Sequence, residues 1–439
     1  MKKIILSVLA TTSIVYATNE VDISGWKFFG DIRGGYLTYD YGNPPQGIDA
    51  DGDIIPQNPN TNKGHMDSNG AYIIPKLSIS SPYYKNFMFQ LTGVVATDFG
   101  INDEKYESRT FVFDPHERKS YALLQEMFIK YKNNKNLFLL GREEFVTPMI
   151  DADDWYMLAD SFELARYSNQ QLKNITINLG YFHKMAGVWD SGANGTEFHS
   201  MSETSFIDAQ DKERIGDTGV YFGSFLYNDT KHHNFQLWEY YAQDMYNTLF
   251  LQYDYTNSIN SFNYDIGFQL INFNDVGKLE DSISNTHINY TLYSARFDGS
   301  FTNGIDFATG ISKYTDGEGQ GATLGAWGGY PYFANGMIFH FFEAGSLRDA
   351  SSYKGQVGYK FDKMGIKNMW LGYRFTYFDL NSNYSKNANN EQQNKMILNG
   401  IRLSYGTKKG FYFTGTYEHV NLDKEPNTFS LRLIGGYKF

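Results

Sequence analysis

Short stretches in which apolar and polar residues alternate recur along most of the chain. Over residues 262–270, one face carries Phe, Tyr, Ile, Phe and Leu, while the other carries Asn, Asp, Gly and Gln. The same alternation runs through 87–95, 249–255, 369–377 and 429–439. Side chains of a β-strand point to opposite faces in turn, so each stretch predicts a strand with one apolar face. Each run is about ten residues long, the length that a tilted strand needs to cross a bilayer.

The connections between these stretches alternate in length. Long polar connections are predicted at 42–70, 98–120, 143–160, 184–217 and 272–285. Short ones are predicted at 81–86, 133–136, 169–174, 228–234, 243–247, 256–261 and 407–410. Long loops on one side and tight turns on the other are typical of an up-and-down barrel in a membrane. The sequence therefore predicts an all-β fold, a transmembrane antiparallel up-and-down β-barrel of about 18 strands with long extracellular loops and short periplasmic turns.

Closure of the sheet is what lets such strands lie in lipid. Only a helix or a closed barrel satisfies every backbone N–H and C=O group inside a bilayer. A secreted β-sandwich or a surface solenoid would also show alternating strands. A sandwich would bury its apolar face and use Greek-key connections, without this asymmetry between loops and turns. The pattern of connections therefore favours the barrel.

Composition excludes several classes of function. The chain has 439 residues and no cysteine, so disulfides and thiolate metal sites are excluded. Its formal charge is −11 and no basic block stands out, which argues against binding of nucleic acid. The nine histidines are scattered, without the spacing of a catalytic triad or a metal site. We expect no enzymatic activity, no cofactor and no metal site, although the acidic run 49–53 leaves weak calcium binding open.

The first residues have the three parts of a secretory signal peptide. A positive start at Lys2 and Lys3 precedes a mostly apolar run over 4–16, and Ala17 provides a small residue for cleavage. The apolar run is too short to span a bilayer as a helix. The sequence predicts a signal peptide at residues 1–17 and a barrel domain over 18–439.

Export should therefore release a chain that begins at Thr18. Signal peptidase requires small residues just before the bond that it cuts, and Ala17 is the last such residue of the predicted signal. Intact-mass measurement of the protein extracted from membranes should give the mass of residues 18–439. A mass that includes Met1 would contradict the prediction.

The chain ends in a strand with an aromatic last residue. Tyr437 and Phe439 lie on the apolar face of the stretch 429–439. This ending resembles the C-terminal signature that the barrel assembly machinery of the outer membrane recognises. The resemblance implies that the last strand closes the barrel and that these two residues serve as an assembly signal.

Several arginines occupy the polar face of predicted strands. Arg33, Arg374, Arg402 and Arg432 lie on strands that become neighbours when the barrel closes, and Arg142 is placed with them. A column of guanidinium groups on one wall of a lumen would attract carboxylates. The alternative is that each arginine pairs with a nearby acid and makes the wall more rigid.

The connection 143–160 carries the opposite charge. If this loop folded into the lumen it would face the arginines across the channel and form a constriction. The acidic and aromatic residues predicted to lie there are Glu143, Glu144, Asp151, Asp153, Asp154 and Tyr156.

Here the chain resembles the outer-membrane porin D (OprD-like) family of substrate-specific channels. The family's third-loop motif runs Gly-Arg-Gln, then Thr-Pro, then Asn-Asp-x-Arg-x-x-Pro, then Phe-Glu-Gly. The matching residues are Gly141-Arg142-Glu143, Thr147-Pro148, Asp153-Asp154 and Phe162-Glu163. The match is dense only over 141–182. Three positions depart from the family's motif, namely Tyr156 in place of arginine, Ala159 in place of proline and Leu164 in place of glycine.

The resemblance implies an eighteen-stranded barrel with inward-folded third and seventh loops and a basic ladder. It also implies a passive diffusion channel in the outer membrane of a Gram-negative bacterium for small carboxylate-bearing solutes, such as amino acids and organic acids. The implied partners are outer-membrane lipid, lipopolysaccharide, the barrel assembly machinery and anionic or zwitterionic solutes. The solute itself and the oligomeric state, a homo-oligomer included, stay open. The alternative function is a non-transporting barrel that acts as a surface adhesin or structural protein.

Overall fold

The computed structural model describes most of the chain after the predicted signal peptide. The described residues are 21–23, 25–40, 46–48, 54–56, 68–102, 112–113, 119–154, 157–187, 197–340, 344–386, 390–407, 409–424 and 427–439. The predicted signal peptide (1–17) and the acidic run 49–53 lie outside them.

Eighteen antiparallel strands form one closed sheet, which confirms the predicted fold class. The first nine are β1 Trp26–Asp40, β2 Ser68–Ser80, β3 Phe87–Ala96, β4 Tyr121–Asn133, β5 Asn136–Glu143, β6 Ser161–Asn169, β7 Ile175–Ala186, β8 Val220–Asn228 and β9 His233–Ala242. The second nine are β10 Tyr246–Ile259, β11 Phe262–Asp275, β12 Asn289–Phe301, β13 Ile305–Tyr314, β14 Ser351–Lys360, β15 Met369–Asp379, β16 Lys395–Gly406, β17 Gly410–Leu422 and β18 Thr428–Lys438. Short strands at Val21–Ile23 and His199–Ser200 pair with β1 and β7, and Gln46–Ile48 pairs with Ile54–Pro56.

The barrel closes where β18 pairs with β1. Arg33 lies opposite Gly436 in this pairing, and the ladder runs as far as Asp31 opposite Lys438. Phe439 and Gly30 exchange two backbone hydrogen bonds, each 3.1 Å long. A Cβ atom on Gly30 would lie 2.7 Å from the Phe439 ring and 2.5 Å from the carbonyl oxygen of Lys76. The terminal ring therefore covers Gly30, and only glycine leaves room for it.

The strands place their apolar side chains on the outside of the barrel and their other face inside, as the alternation in the sequence predicts. On β3, Phe87, Phe89 and Leu91 are exposed on the outside while Thr92 and Val94 are buried inside. Exposed aromatic and aliphatic side chains surround the barrel on its other strands as well. An apolar exterior and a polar interior suit a barrel whose outside contacts acyl chains.

The connections alternate between a loop end and a turn end of the barrel. Most connections at the loop end are long, but the one after β9 has only residues 243–245 and the one after β17 only 423–427. The turns are tighter than the predicted 133–136 and 256–261. Residues 134–135 and 260–261 suffice because Asn134 and Asn260 adopt positive φ angles of 50° and 55°, a conformation that asparagine tolerates.

The pairing of β3 with β4 contains an irregularity that alternation alone does not predict. The register shifts between Thr92 and Gly93, and as a result Gln125 and Glu126 are both buried. A bulge of this kind re-aims side chains where two residues oppose one. Here it turns two consecutive polar side chains away from lipid.

Among the described loop residues, two segments form short α-helices, α1 at Ala209–Ile215 and α2 at Gln320–Thr323. Turns of 3₁₀-helix occur at Gly277–Asp281 and Phe361–Met364. In the described part of the chain, neither these nor any other helix has the length and apolar character needed to span a bilayer.

The buried carboxylate of Asp211 in α1 joins two loops at the loop end. Its oxygens accept hydrogen bonds from the hydroxyls of Ser282 and Ser284, both at 2.5 Å, and from the backbone N–H of Ile283 at 3.0 Å. Burial alone would raise the pKa of Asp211, but these hydrogen bonds outweigh it and lower the pKa to about 2. Since ionised Asp211 is favoured when the loops are joined, this stabilisation is complete above about pH 4 and is lost as the pH falls towards 2.

Replacing Asp211 by asparagine should therefore loosen these loops at neutral pH. Trypsin should cut after Lys212 and Arg214 about tenfold faster than in the wild type, because the hydroxyl groups lose their charged acceptor. Asp229→Asn is the matched control, since Asp229 accepts comparable backbone bonds in a tight turn at the opposite end of the barrel. Equal cutting rates in wild type and Asp211→Asn would contradict the prediction.

Candidate functional site

Two loops from the loop end fold into the barrel. We define L3 as residues 144–160 and L7 as residues 315–350, which follow β5 and β13. Ile150 forms bridges with Trp327 and Gly328, and the Asp151 N–H donates to the Trp327 carbonyl at 2.9 Å. The two loops are therefore joined inside the barrel through their backbones.

L3 is fastened to the barrel wall by charged and polar side chains. The Arg33 guanidinium donates to the Asp154 carboxylate at 3.0 Å and to the Met157 carbonyl at 2.9 Å. Lys76 forms an ion pair with Glu144 at the start of the loop. These contacts hold L3 against β1 and β2, which are four and three strands away from β5 in the sheet.

The C-terminal part of L3 is fastened by the bulge in β4. The Gln125 side chain donates to the Ala159 carbonyl at 2.6 Å, and the Ser161 hydroxyl donates to the Gln125 carbonyl at 2.5 Å. The irregular register thus supplies the inward-pointing amide that this end of the loop needs.

L7 is bound by the wall on the other side of the closing seam, at β15 and β16. Arg374 donates to the Gly336 carbonyl at 2.6 Å, and Arg402 donates to the Met337 carbonyl at 3.0 Å. The Trp327 indole N–H donates to the Met201 carbonyl at 3.1 Å, which connects L7 to the loop between β7 and β8.

Aromatic side chains and these two loops fill one half of the lumen. Trp327 stacks on Tyr246 with ring centroids 5.5 Å apart, and Phe222 lies 5.9 Å from Phe145 of L3. The other large aromatic residues of this packed half are Phe162, Phe182, Trp238, Tyr240, Phe250, Phe273 and Tyr290. Because the described side chains here are buried and packed against one another, we expect solutes to pass through the other half of the lumen.

The other half of the lumen contains a cavity of about 690 Å³. Among the described residues, those lining it belong to β1–β5, L3, L7 and β12–β18, and none lies on β6–β11. The cavity is therefore offset towards the seam where the barrel closes.

Most basic and most acidic side chains of this cavity lie on different parts of its wall, although Lys76 and Lys130 lie on the acidic side and Asp31 lies beside Arg33. The basic residues on β14, β15, β16, β18 and β1 are Lys354, Arg374, Arg402, Arg432 and Arg33. The acidic residues on β4, β5 and L3 are Glu126, Glu143, Glu144, Asp151, Asp153 and Asp154. A solute that enters the cavity is therefore exposed to a transverse electric field.

Several charged side chains inside the barrel are paired with a group of opposite sign. Glu143 accepts two bonds from Arg166, at 2.7 and 2.8 Å, and Arg296 contacts Asp254 at 2.8 Å and Asp265 at 2.6 Å. Arg33 is paired as well, with Asp31 at 2.9 Å and Asp154 at 3.0 Å. Pairing of this kind cancels charge locally and weakens the field inside the cavity.

Two titratable groups of the inward-folded loops are perturbed by their surroundings. Burial, together with the neighbouring carboxylates of Asp153 and Asp154, raises the pKa of Asp151 well above its usual value. Burial and the nearby guanidinium groups of Arg374 and Arg432 lower the pKa of His340 to about 3. His340 is therefore neutral at pH 7 and adds no charge to the basic wall.

The structure brings together most of the residues that the sequence singles out. Four arginines of the predicted ladder (Arg33, Arg374, Arg402 and Arg432) and five acidic residues of the predicted constriction (Glu143, Glu144, Asp151, Asp153 and Asp154) line this one cavity. Tyr156 lies outside the described residues. Phe439 and Tyr437 lie at the closing seam, as the fold shows.

Arg142 is the exception and does not line the cavity. It follows the exposed Phe138 and Leu140 at two-residue intervals on β5, so its side chain leaves on the outer face. There its guanidinium group forms an ion pair with the Glu163 carboxylate at 2.7 Å. The guanidinium carbon also lies 4.1 Å from the centroid of the Phe198 ring. The prediction that Arg142 belongs to the ladder is therefore wrong, because position 142 lies on the outer face of β5.

Sequence reasoning missed several charged residues of the lumen. Lys76, Lys130, Arg296 and Lys354 line the cavity, and Glu418 is fully buried behind it. Each lies at an inward position of its strand, so the alternation could have found them. No metal-binding group of histidine and acidic residues occurs in the part of the chain that the structure describes.

Comparison with known proteins supports the fold from an independent direction. No protein-family model matches the chain, and neither does any curated protein sequence. Among solved structures, Pseudomonas aeruginosa OpdK with vanillate superposes with a TM-score of 0.72 at 13% identity, over 95% of this chain and 99% of that chain. P. aeruginosa OccK2 (OpdF) in complex with glucuronate gives 0.70 at 12%, over 95% and 98%. A BenF-like porin from Pseudomonas fluorescens Pf-5 gives 0.70 at 14%, over 95% and 99%. The chain therefore shares the fold of these proteins along almost its whole length.

Proposed function

We propose that this chain is an outer-membrane porin of the OprD-like family, a channel for passive diffusion of small hydrophilic solutes that carry a carboxylate. The observation that carries the proposal is the cavity whose basic wall faces an acidic loop. The loop end would then face the cell exterior and the turn end the periplasm of a Gram-negative bacterium.

The chemistry of the basic wall favours carboxylates over neutral solutes. A guanidinium group presents a planar fork of donors that matches a carboxylate, and several of them in sequence allow a solute to pass from one to the next. The opposing acidic residues would attract an ammonium group, so zwitterionic amino acids are also suitable solutes. The ligands described with OpdK and OccK2, vanillate and glucuronate, are both carboxylates, which is consistent with this class.

Partners follow from the proposed location. The apolar exterior would contact outer-membrane lipid and lipopolysaccharide, and the barrel assembly machinery would insert the chain. The mass of the detergent-solubilised protein, after subtraction of bound detergent, tests whether the chain forms homo-oligomers. A homo-oligomer should have a multiple of the mass of one chain.

Liposome swelling with matched solutes tests the proposed function. Vesicles that contain the protein should admit glucuronate faster than glucose, which has nearly the same size but no carboxylate. They should also admit neutral amino acids, since these present both charges. Equal rates for glucuronate and glucose would refute the carboxylate preference while leaving a general pore intact.

The competing function is a barrel that displays its loops as an adhesin and transports nothing. The packed half of the lumen is the observation in its favour, since a fully plugged barrel would extend such packing to the other wall. Single-channel recording in planar bilayers separates the two functions. The porin should give stable conductance steps, whereas an adhesin with a closed lumen should give none.

A further inference from the structure

Glu418 on β17 binds the backbone of L7 from inside the barrel wall. Its side chain is fully buried, and its two oxygens accept the backbone N–H groups of Met337, Ile338 and Phe339 at 2.7, 2.6 and 2.7 Å. Three short bonds to one carboxylate are the strong, charge-assisted kind. They fix the direction in which three consecutive residues of L7 cross the lumen.

Side chains of the neighbouring strands bind the carbonyl groups of the same segment. Besides Arg374 and Arg402, whose bonds to Gly336 and Met337 are described above, the Thr376 hydroxyl donates to the Asn335 carbonyl at 3.0 Å. Segment 335–339 of L7 is thus bound through its N–H groups by one carboxylate and through its carbonyl groups by two arginines and a threonine. Glu418 also interacts electrostatically with both arginines.

The contact between this segment and the wall is too close to allow a side chain on the loop at one point. A Cβ atom on Gly336 would lie 2.6 Å from Leu398 Cδ2, 2.9 Å from Glu418 Oε2 and 2.1 Å from the Phe339 carbonyl oxygen. Even a methyl group at position 336 would therefore push the segment away from the wall or distort it. This provides a way to displace L7 without a change of charge.

We propose that Glu418 is a positioning residue that sets both the width and the ion selectivity of the lumen. It anchors L7 to the wall and so maintains the constriction. Its negative charge also partly offsets the positive charges of Arg374 and Arg402. Glu418 thereby limits how strongly the basic wall favours anions over cations. The selectivity and width effects rest on the proposed channel function, whereas the anchoring of L7 does not.

Three variants separate the two effects in planar-bilayer recordings. Glu418→Gln removes the charge and one acceptor, so we expect the anion-to-cation permeability ratio to rise about threefold and larger polyethylene glycols to enter the channel. Gly336→Ala should admit larger polymers with little change in that ratio. Glu126→Gln removes a lumen charge whose hydrogen bonds come from Gln90, Thr92 and the backbone N–H of Glu144, and it does not contact segment 335–339. It should therefore change the ratio with little change in polymer size.

A labelling experiment tests the anchor without any conductance. The chain has no native cysteine, so Ile338→Cys introduces a single thiol at a position that is 1% exposed. A charged, water-soluble thiol reagent should label it slowly in the wild-type background. Labelling should be at least about tenfold faster in combination with Glu418→Gln or Gly336→Ala, and unchanged with Glu126→Gln. Heat-modifiable migration on gels shows that each barrel is folded.

The outcomes distinguish the anchor from the channel. Slow labelling in every background would overturn the anchoring role, whether or not the protein conducts. A conducting wild type whose permeability ratio and polymer cut-off are unchanged in Glu418→Gln would overturn the effect on permeation. A wild type that never conducts would overturn the proposed function instead, and labelling would still decide whether Glu418 holds L7.

Discussion

Replacing Arg374 and Arg402 together by serine should lower the anion preference of the channel and increase its conductance. Both guanidinium groups line the cavity, and both bind carbonyl groups of L7. A solute carboxylate ~8 Å from one such charge gains roughly 2 kcal/mol at an effective dielectric constant near 20, before screening by salt. Removing two of them should therefore reduce the anion-to-cation permeability ratio by about threefold to tenfold.

Reversal potentials under a salt gradient measure this effect. It should be largest at low ionic strength, where the Debye length exceeds the radius of the lumen. Arg142→Ser is the matched control, because Arg142 is also a strand arginine but pairs with Glu163 on the outer face. The control should leave the reversal potential unchanged.

Charge reversal on the facing loop should act in the opposite direction. Changing Asp153 and Asp154 to lysine places cations on both sides of the cavity and removes the Asp154 partner of Arg33. The channel should then favour anions more than the wild type does. If both double variants give the reversal potential of the wild type, these charges are not in the path of the permeating ions.

Deleting Phe439 should reduce the amount of assembled barrel in the outer membrane about tenfold, because the closing seam loses both hydrogen bonds to Gly30 and the half-buried ring that covers it. Full burial of a phenylalanine ring contributes about 1.5–3 kcal/mol, and the half-buried ring contributes part of this. Phe439→Asp should be at least as damaging, since it places a charge where an aromatic ring meets lipid.

Gly30→Val tests the same seam from the other strand. A Cβ atom at position 30 would meet the Phe439 ring at 2.7 Å, so the larger residue should displace the terminal residue and reproduce the deletion. Tyr84→Ala is the control, because Tyr84 is an aromatic residue in a turn at the same end of the barrel but is 72% exposed. Heat-modifiable barrel in the membrane fraction is the readout. Wild-type amounts after deletion of Phe439 would contradict the role of the seam.

The repeating pattern of the strands was readable from the sequence alone. A strand has a side-chain period of two, so each run of eight to fifteen residues shows which face is apolar without any knowledge of its neighbours. The same rule placed Arg33, Arg374, Arg402 and Arg432 inside. The same alternation places Arg142 on the outer face, together with Phe138 and Leu140.

The arrangement inside the barrel was decided by the tertiary structure. The path of L3 and L7 depends on contacts between residues far apart in the chain, such as Arg33 with Asp154 and Glu418 with Met337. No local periodicity marks them, because loop backbone has no fixed spacing of side chains. The bulge that turns Gln125 inward likewise depends on the register between two strands. The sequence therefore determined the wall of this protein through local alternation, whereas long-range hydrogen bonds and ion pairs decided which half of its lumen stays open.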